Sequence, residues 1–100
     1  MDRIYKALSD PTRREIIRLL RQREMTAGEI AGHFSLSKPT LTGHFGVLRE
    51  AGLIQGEKSG TSITYSLQLS VLEDALALLM DQFRIGQPRA GTASNPKVTS

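Results

Sequence analysis

Hydroxyls, an ammonium group and three glycines crowd into one short run, residues 37–54, SKPTLTGHFGVLREAGLI. Ser37, Lys38, Thr40, Thr42 and His44 bring hydrogen-bond donors, with Pro39 and Gly43 among them, and no carboxylate enters before Glu50. Donors that no histidine–carboxylate pair activates recognise a partner rather than transform it. They suit phosphate oxygens and the edges of bases. The rest of the chain adds no catalytic set: it has no cysteine, no Gly-rich phosphate loop and no histidine–carboxylate spacing of a catalytic pair. The chain is not read as an enzyme.

The elements that must hold these residues are legible. Ser37 is a good N-cap, and Pro39 falls in the first turn, where its missing N–H costs nothing. Leu41, Phe45 and Leu48 recur at helical spacing, and Gly52 stops the helix. Upstream, Thr26 and Glu29 have the spacing of a capping box, which opens a short helix expected to reach about residue 34. Residues 35–37 then form a tight link, and the pair reads as a helix-turn-helix. At about 100° per residue, the face opposite the core carries Pro39, Gly43, Gly46 and Glu50, with Thr40 and Thr42 flanking it and Lys38 at the shoulder. Core packing does not explain that face; entry into a DNA major groove does. Each mid-helix glycine costs roughly 1 kcal/mol relative to alanine. Either the bare backbone approaches the bases, or the helix is weakly specified. His44 lies about 60° from the core axis, a position for a packed, hydrogen-bonded imidazole or a phosphate contact rather than a metal ligand.

Around this unit, residues 2–8 read as a helix with Ile4, Tyr5 and Leu8 on one side. Asp10 caps a second helix that starts at Pro11 and buries Ile16, Ile17, Leu19 and Leu20. Arg13 and Arg14 are expected to be solvated first-turn residues paired with Asp10 or Glu15. A hairpin turning at Ser59-Gly60 alternates Ile63, Tyr65 and Leu67 with Ser62, Thr64 and Ser66, and presents Lys58, Thr61 and Ser62 for phosphate contact. Ser70 is the expected cap of a last helix running to residue 83 or 84. Leu72, Leu76, Leu79, Met80 and Phe83 form one apolar stripe of it, and Val71, Ala75 and Leu78 widen that stripe. A small monomer covers one stripe. The surplus packs against a second subunit together with the first helix, or else a compact monomer buries both. A two-fold homodimer would set two reading helices about 34–36 Å apart and call for an imperfectly palindromic operator. Residues 1–85 thus make one domain, and residues 86–100 read as a disordered tail.

Composition is permissive. The net charge is +3 and the pI about 9.7, but residues 1–34 hold seven Lys/Arg against five Asp/Glu, and residues 35–67 only three against two. The reading half is weakly basic, which points to few phosphate contacts and a shallow salt dependence. Without cysteine there is no disulfide and no thiolate ligand. No run is long enough to span a membrane, so cytoplasmic residence and no integral membrane role are expected.

Three segments resemble the bacterial ArsR family of winged-helix repressors: LSDPTRREIIRLL at residues 8–20, MTAGEIAGHFSLSKPTLTGHFGVLREAGLI at 25–54 and GTSITYSL at 60–67. The likeness is nearest to its small, cysteine-free, SdpR-like autoregulators. It implies a mainly α chain with a small β-hairpin, a winged helix-turn-helix dimerising through its first and last helices and repressing a promoter, plausibly its own. It also implies where metal sites would fall. Thr26 and Gly28 occupy the thiolate positions, and the last helix carries Glu73, Asp74 and Asp81 without a histidine, so neither zinc nor copper, nor any cofactor, is expected. The family often has a long polar or basic residue where this chain has Gly43. An effector of unknown identity, or a protein that sequesters the DNA-binding face, would carry the signal. The rival reading is a winged helix used as a protein-interaction module with weak, non-specific DNA binding.

Overall fold

The computed structural model describes residues 2–84 and residue 86. The tail expected over residues 86–100 lies, beyond Gly86, outside the described residues. In chain order the elements are α1 (Asp2–Leu8), α2 (Pro11–Gln22), β1 (Met25–Thr26), α3 (Ala27–Ala31), α4 (Lys38–Glu50), β2 (Ile54–Ser59), β3 (Ser62–Leu67) and α5 (Leu69–Phe83).

Local chemistry sets most boundaries. The Asp10 carboxylate accepts from the Arg13 backbone N–H at 3.1 Å, and Pro11 opens α2 behind it. That N–H bond, first among its causes, holds the Asp10 carboxyl below its ordinary value. The Thr26–Glu29 capping box is reciprocal, with bonds of 3.1 and 2.9 Å. α4 stops at Ala51, after which Gly52 takes φ +75°, a left-handed conformation open to glycine. Arg13 and Arg14 differ from expectation. Their guanidiniums turn back and cap the end of α1: Arg13 donates to the Lys6 and Ala7 carbonyls at 2.8 and 2.9 Å, and Arg14 to the Leu8 carbonyl at 2.8 Å. Orphan carbonyls at a helix C-terminus attract cations, and that outweighs a solvated pair with Asp10 or Glu15.

The sheet has the order β1-β3-β2, antiparallel throughout. The sequence pattern foretold only the hairpin. Met25 and Thr26 also pair with Tyr65 and Thr64, so the start of the helix-turn-helix is laced to the wing. The hairpin turns at Gly60-Thr61, one residue later than expected, with Gly60 at φ +61° and Ser59 opposite Ser62. Because β3 is central, Thr64 and Ser66 on the face expected to be wet are half-buried. α3 is shorter than its pattern promised, ending at Ala31, and residues 32–37 connect it to α4.

One core joins the elements: Ala7, Ile16, Ile17, Leu19, Leu20, Met25, Ile30, Leu41, Phe45, Leu48, Leu53, Ile54 and Tyr65 are buried together. The rings of Phe45 and Tyr65 lie 4.5 Å apart, tilted by 32°. Tyr65 also crosses Gly56, its cross-strand partner, where an added Cβ would come within 2.9 Å of the ring. Only glycine admits that crossing. The stack Phe45–Tyr65–Gly56 fixes α4 to both hairpin strands.

α5 begins earlier than Ser70. The Gln68 N–H is held by the Leu53 carbonyl at 2.8 Å, and the Gln68 carbonyl accepts from Val71 and Leu72, so the tether rather than a capping hydroxyl sets the start. The helix lies lightly on the body. Ala75 alone is buried, and Val71 and Leu72 pack part-buried on the core. Tyr5 of α1 donates to the Gln82 side chain of α5 at 3.4 Å.

Candidate nucleic-acid interface

α4 builds the site by dividing its residues cleanly. Leu41, Phe45 and Leu48 go into the core, and Lys38, Pro39, Thr40, Thr42 and Gly43 are exposed. At its start the Ser37 hydroxyl accepts from the Thr40 N–H at 3.3 Å and donates to the Thr40 hydroxyl at 2.9 Å. The first turn of the helix therefore presents its polar groups in a fixed arrangement, at the end where the helix dipole favours anions. Cβ atoms added at Gly43 or Gly46 would meet nothing within 4 Å. Internal packing does not demand either glycine.

His44 departs from the set. Its side chain is only 16 % exposed, and Nδ1 lies 3.1 Å from Arg13 Nη1 and 3.9 Å from Asp10 Oδ2. The imidazole ties α4 to the start of α2, which leaves little of its surface for a DNA contact. Of its two sequence readings, the packed, hydrogen-bonded histidine is the one observed.

The wing supplies the second exposed surface. Lys58, Thr61 and Ser62 are all exposed at the hairpin end, and the Lys58 ammonium makes no ion pair among the described residues. Thr26 is spent on capping α3; its backbone N–H, the largest cause, holds the Glu29 carboxyl below its ordinary value of 4.5, with Arg23 adding a contact at 3.4 Å.

Residues expected at a subunit contact divide. Ile4, Leu8 and Leu72 pack part-buried on the chain's own core, because short helices spend their best apolar side chains on the nearest core. Leu79 is half-buried. Tyr5, Leu76, Met80 and Phe83 are exposed, Phe83 by 67 %. Leu78 of the widened stripe, at 54 %, belongs to this surface, and Leu69, at 40 %, joins it from outside the expected stripe.

Three further cations gather beside this face. Arg3 and Lys6 of α1 and Arg49 of α4 line an open groove of about 570 Å³ over Gly43 and Gly46. Helical spacing put Arg49 three residues past Gly46, but only tertiary packing brings α1 beside it. Among the described residues no group of three His, Cys, Asp or Glu is placed to hold a metal ion, and no helix is long and apolar enough to cross a membrane.

Comparison with known proteins gives this arrangement a context. The family model described as "Bacterial regulatory protein, arsR family" matches residues 10–56. The chain is 43% identical to the transcriptional repressor SdpR of Bacillus subtilis (strain 168) over 81 residues, which is 81% of this chain and 90% of that protein. It is 37% identical to the arsenical resistance operon repressor of Staphylococcus aureus, covering 73% of this chain and 70% of that one. Among solved structures, an ArsR family transcriptional regulator superposes with a TM-score of 0.77 at 29% identity, covering 83% of this chain and 86% of its own. These relatives are named as regulators and repressors, not as enzymes. With its helix-turn-helix, three-stranded wing sheet and flanking helices, the chain belongs to the arsR family of bacterial regulatory proteins.

Proposed function

We propose how this DNA-binding transcriptional repressor meets its operator. It acts in the cytoplasm as a two-fold homodimer, with α5 and the Tyr5 side of α1 forming the subunit contact. Each subunit lays α4 into a major groove and its wing along the adjacent backbone. The operator is an imperfect palindrome with half-sites about one helical turn apart. Ser37, Lys38, Pro39, Thr40, Thr42 and Gly43 carry the contact on α4, and Lys58, Thr61 and Ser62 carry it on the wing. Residues 1–85 act as the single working domain. Repression follows from occlusion of the promoter, and an effector or a sequestering protein relieves it by favouring a dimer with differently spaced reading helices.

The single observation carrying this reading is the bare outer face of α4, where hydroxyls and Gly43 stand exposed over a fully packed inner face and an added Cβ at Gly43 or Gly46 would meet nothing. A helix face that needs neither packing nor bulk is complementary to a groove lined with donors, acceptors and thymine methyls. Fluorescence anisotropy against DNA upstream of its own gene and a scrambled duplex, at two salt concentrations, tests it. Selective, salt-sensitive binding at two subunits per site is the expected outcome. Thr42→Ala should weaken the preferred sequence and spare the scrambled one. Equal, weak binding to both duplexes would favour the interaction-module reading instead.

A further inference from the structure

We infer that the groove between α1 and α4 seats a phosphate of the DNA backbone, held by Arg3, Lys6 and Arg49, which makes α1 a DNA-contacting element; the inference rests on the DNA reading above. The groove shares Gly43 and Gly46 with the outer face of α4, so whatever lies against that face passes its mouth. Its rim carries three cations against one carboxylate, Glu50. None of the three cationic side chains makes a hydrogen bond or ion pair among the described residues. Like charges gathered around a hollow, without partners, raise the local potential and attract an anion.

The floor explains the glycines without appeal to backbone conformation. Both keep helical φ and neither is crowded, so any small side chain would fit the fold itself. A side chain at either position would instead fill the hollow. The walls are also held in place. Arg13 grips the last carbonyls of α1 at 2.8 and 2.9 Å while its third nitrogen reaches His44 of α4 at 3.1 Å, so the two helices that form the groove are clamped together. A preset cradle loses little freedom on binding. Because the groove is open to solvent, it suits a phosphodiester lying across it better than a small molecule enclosed by it.

The test is the double variant Arg3→Gln/Lys6→Gln, which removes both charges, keeps good helix formers and leaves the residue-6 carbonyl in place for Arg13. Binding to the upstream duplex and to a scrambled duplex is followed over a salt series, at a concentration where sedimentation shows the same oligomer as the wild type. The expected result is a uniform loss of affinity on both duplexes and a fall of about one in the slope of log K against log salt. A purely structural role for α1 would move the melting temperature and leave that slope unchanged. An unchanged slope in a folded variant overturns the inference while DNA binding by the wild type still stands. Failure of the wild type to bind either duplex overturns the DNA reading and this inference together. Amide shifts of Gly43 and Gly46 separate the sources of phosphate: movement with duplex supports the assignment, and saturation by micromolar inorganic phosphate alone overturns it in favour of a free anion.

Discussion

α4 and α5 each leave a broad face uncovered, and the two faces have opposite chemistry. On α4 the uncovered residues are Lys38, Pro39, Thr40, Thr42 and Gly43; on α5 they are Leu69, Leu76, Leu78, Met80 and Phe83. Water satisfies the first face at no cost. It penalises the second by roughly 25 cal/mol for each square ångström of apolar surface left wet. Their inner faces contrast as well, with Leu41, Phe45 and Leu48 anchoring α4 while Ala75 alone is buried on α5. A firmly anchored helix with a polar, stripped outer face is built to present itself to a hydrated polyanion. A lightly anchored, apolar one fits the subunit contact proposed above.

The comparison breaks most visibly at the anchor. Phe45→Ala should cost about 3–5 kcal/mol in urea denaturation, since the ring is buried and stacked on Tyr65. A loss below about 1 kcal/mol would show that α4 is not held as described. Next comes the apolar face. Leu76→Glu places a charge where burial of a leucine would contribute roughly 1.5–3 kcal/mol, so self-association by analytical ultracentrifugation should collapse while the far-ultraviolet spectrum persists. Association as strong as the wild type would put the subunit contact elsewhere. Gly43→Ala sharpens the other side: with open space around its Cβ, it should stabilise the fold by up to about 1 kcal/mol in thermal melts. If the melting temperature drops, the outer face of α4 is not free.

Acid gives the smallest effect. Asp10, Glu15 and Glu29 all sit below their ordinary values, Glu15 chiefly through its bond with Arg18. Lowered folded-state values mean the native chain binds fewer protons than the unfolded one near pH 4. The stability they contribute is therefore complete above about 4.5 and is lost as pH falls through the folded values. Denaturant midpoints should stay level from pH 7 to 5 and decline below that. A decline beginning near neutrality would assign the dependence to other groups.

Much of this was legible because caps are local. Asp10, the Thr26–Glu29 box, Ser37 and Gly52 each act within four residues, and each was read where it stands. β1 was not, because a two-residue strand exists only through Tyr65 and Thr64, some forty positions away. Ser70 misled for a similar reason: a hydroxyl is the ordinary cap, but the Leu53 carbonyl had already fixed Gln68. The site itself was half legible. Exposure of Thr40, Thr42 and the wing followed from periodicity, whereas the loss of His44 to Arg13 and the gathering of Arg3, Lys6 and Arg49 depend on how α1 and α2 meet α4.

The ring of Tyr65 over Gly56 has a consequence for how such a protein can change. Ile63 also borders Gly56, and past that point the hairpin carries only exposed residues, Lys58, Ser59, Gly60, Thr61 and Ser62. Apart from Gly60, whose φ of +61° strains any other side chain, substitutions there touch no packed neighbour and cost on the order of 0.5 kcal/mol or less. The wing is thus a tool with a fixed handle and an interchangeable tip, so a descendant could acquire a new DNA preference at its end without having to refold the rest.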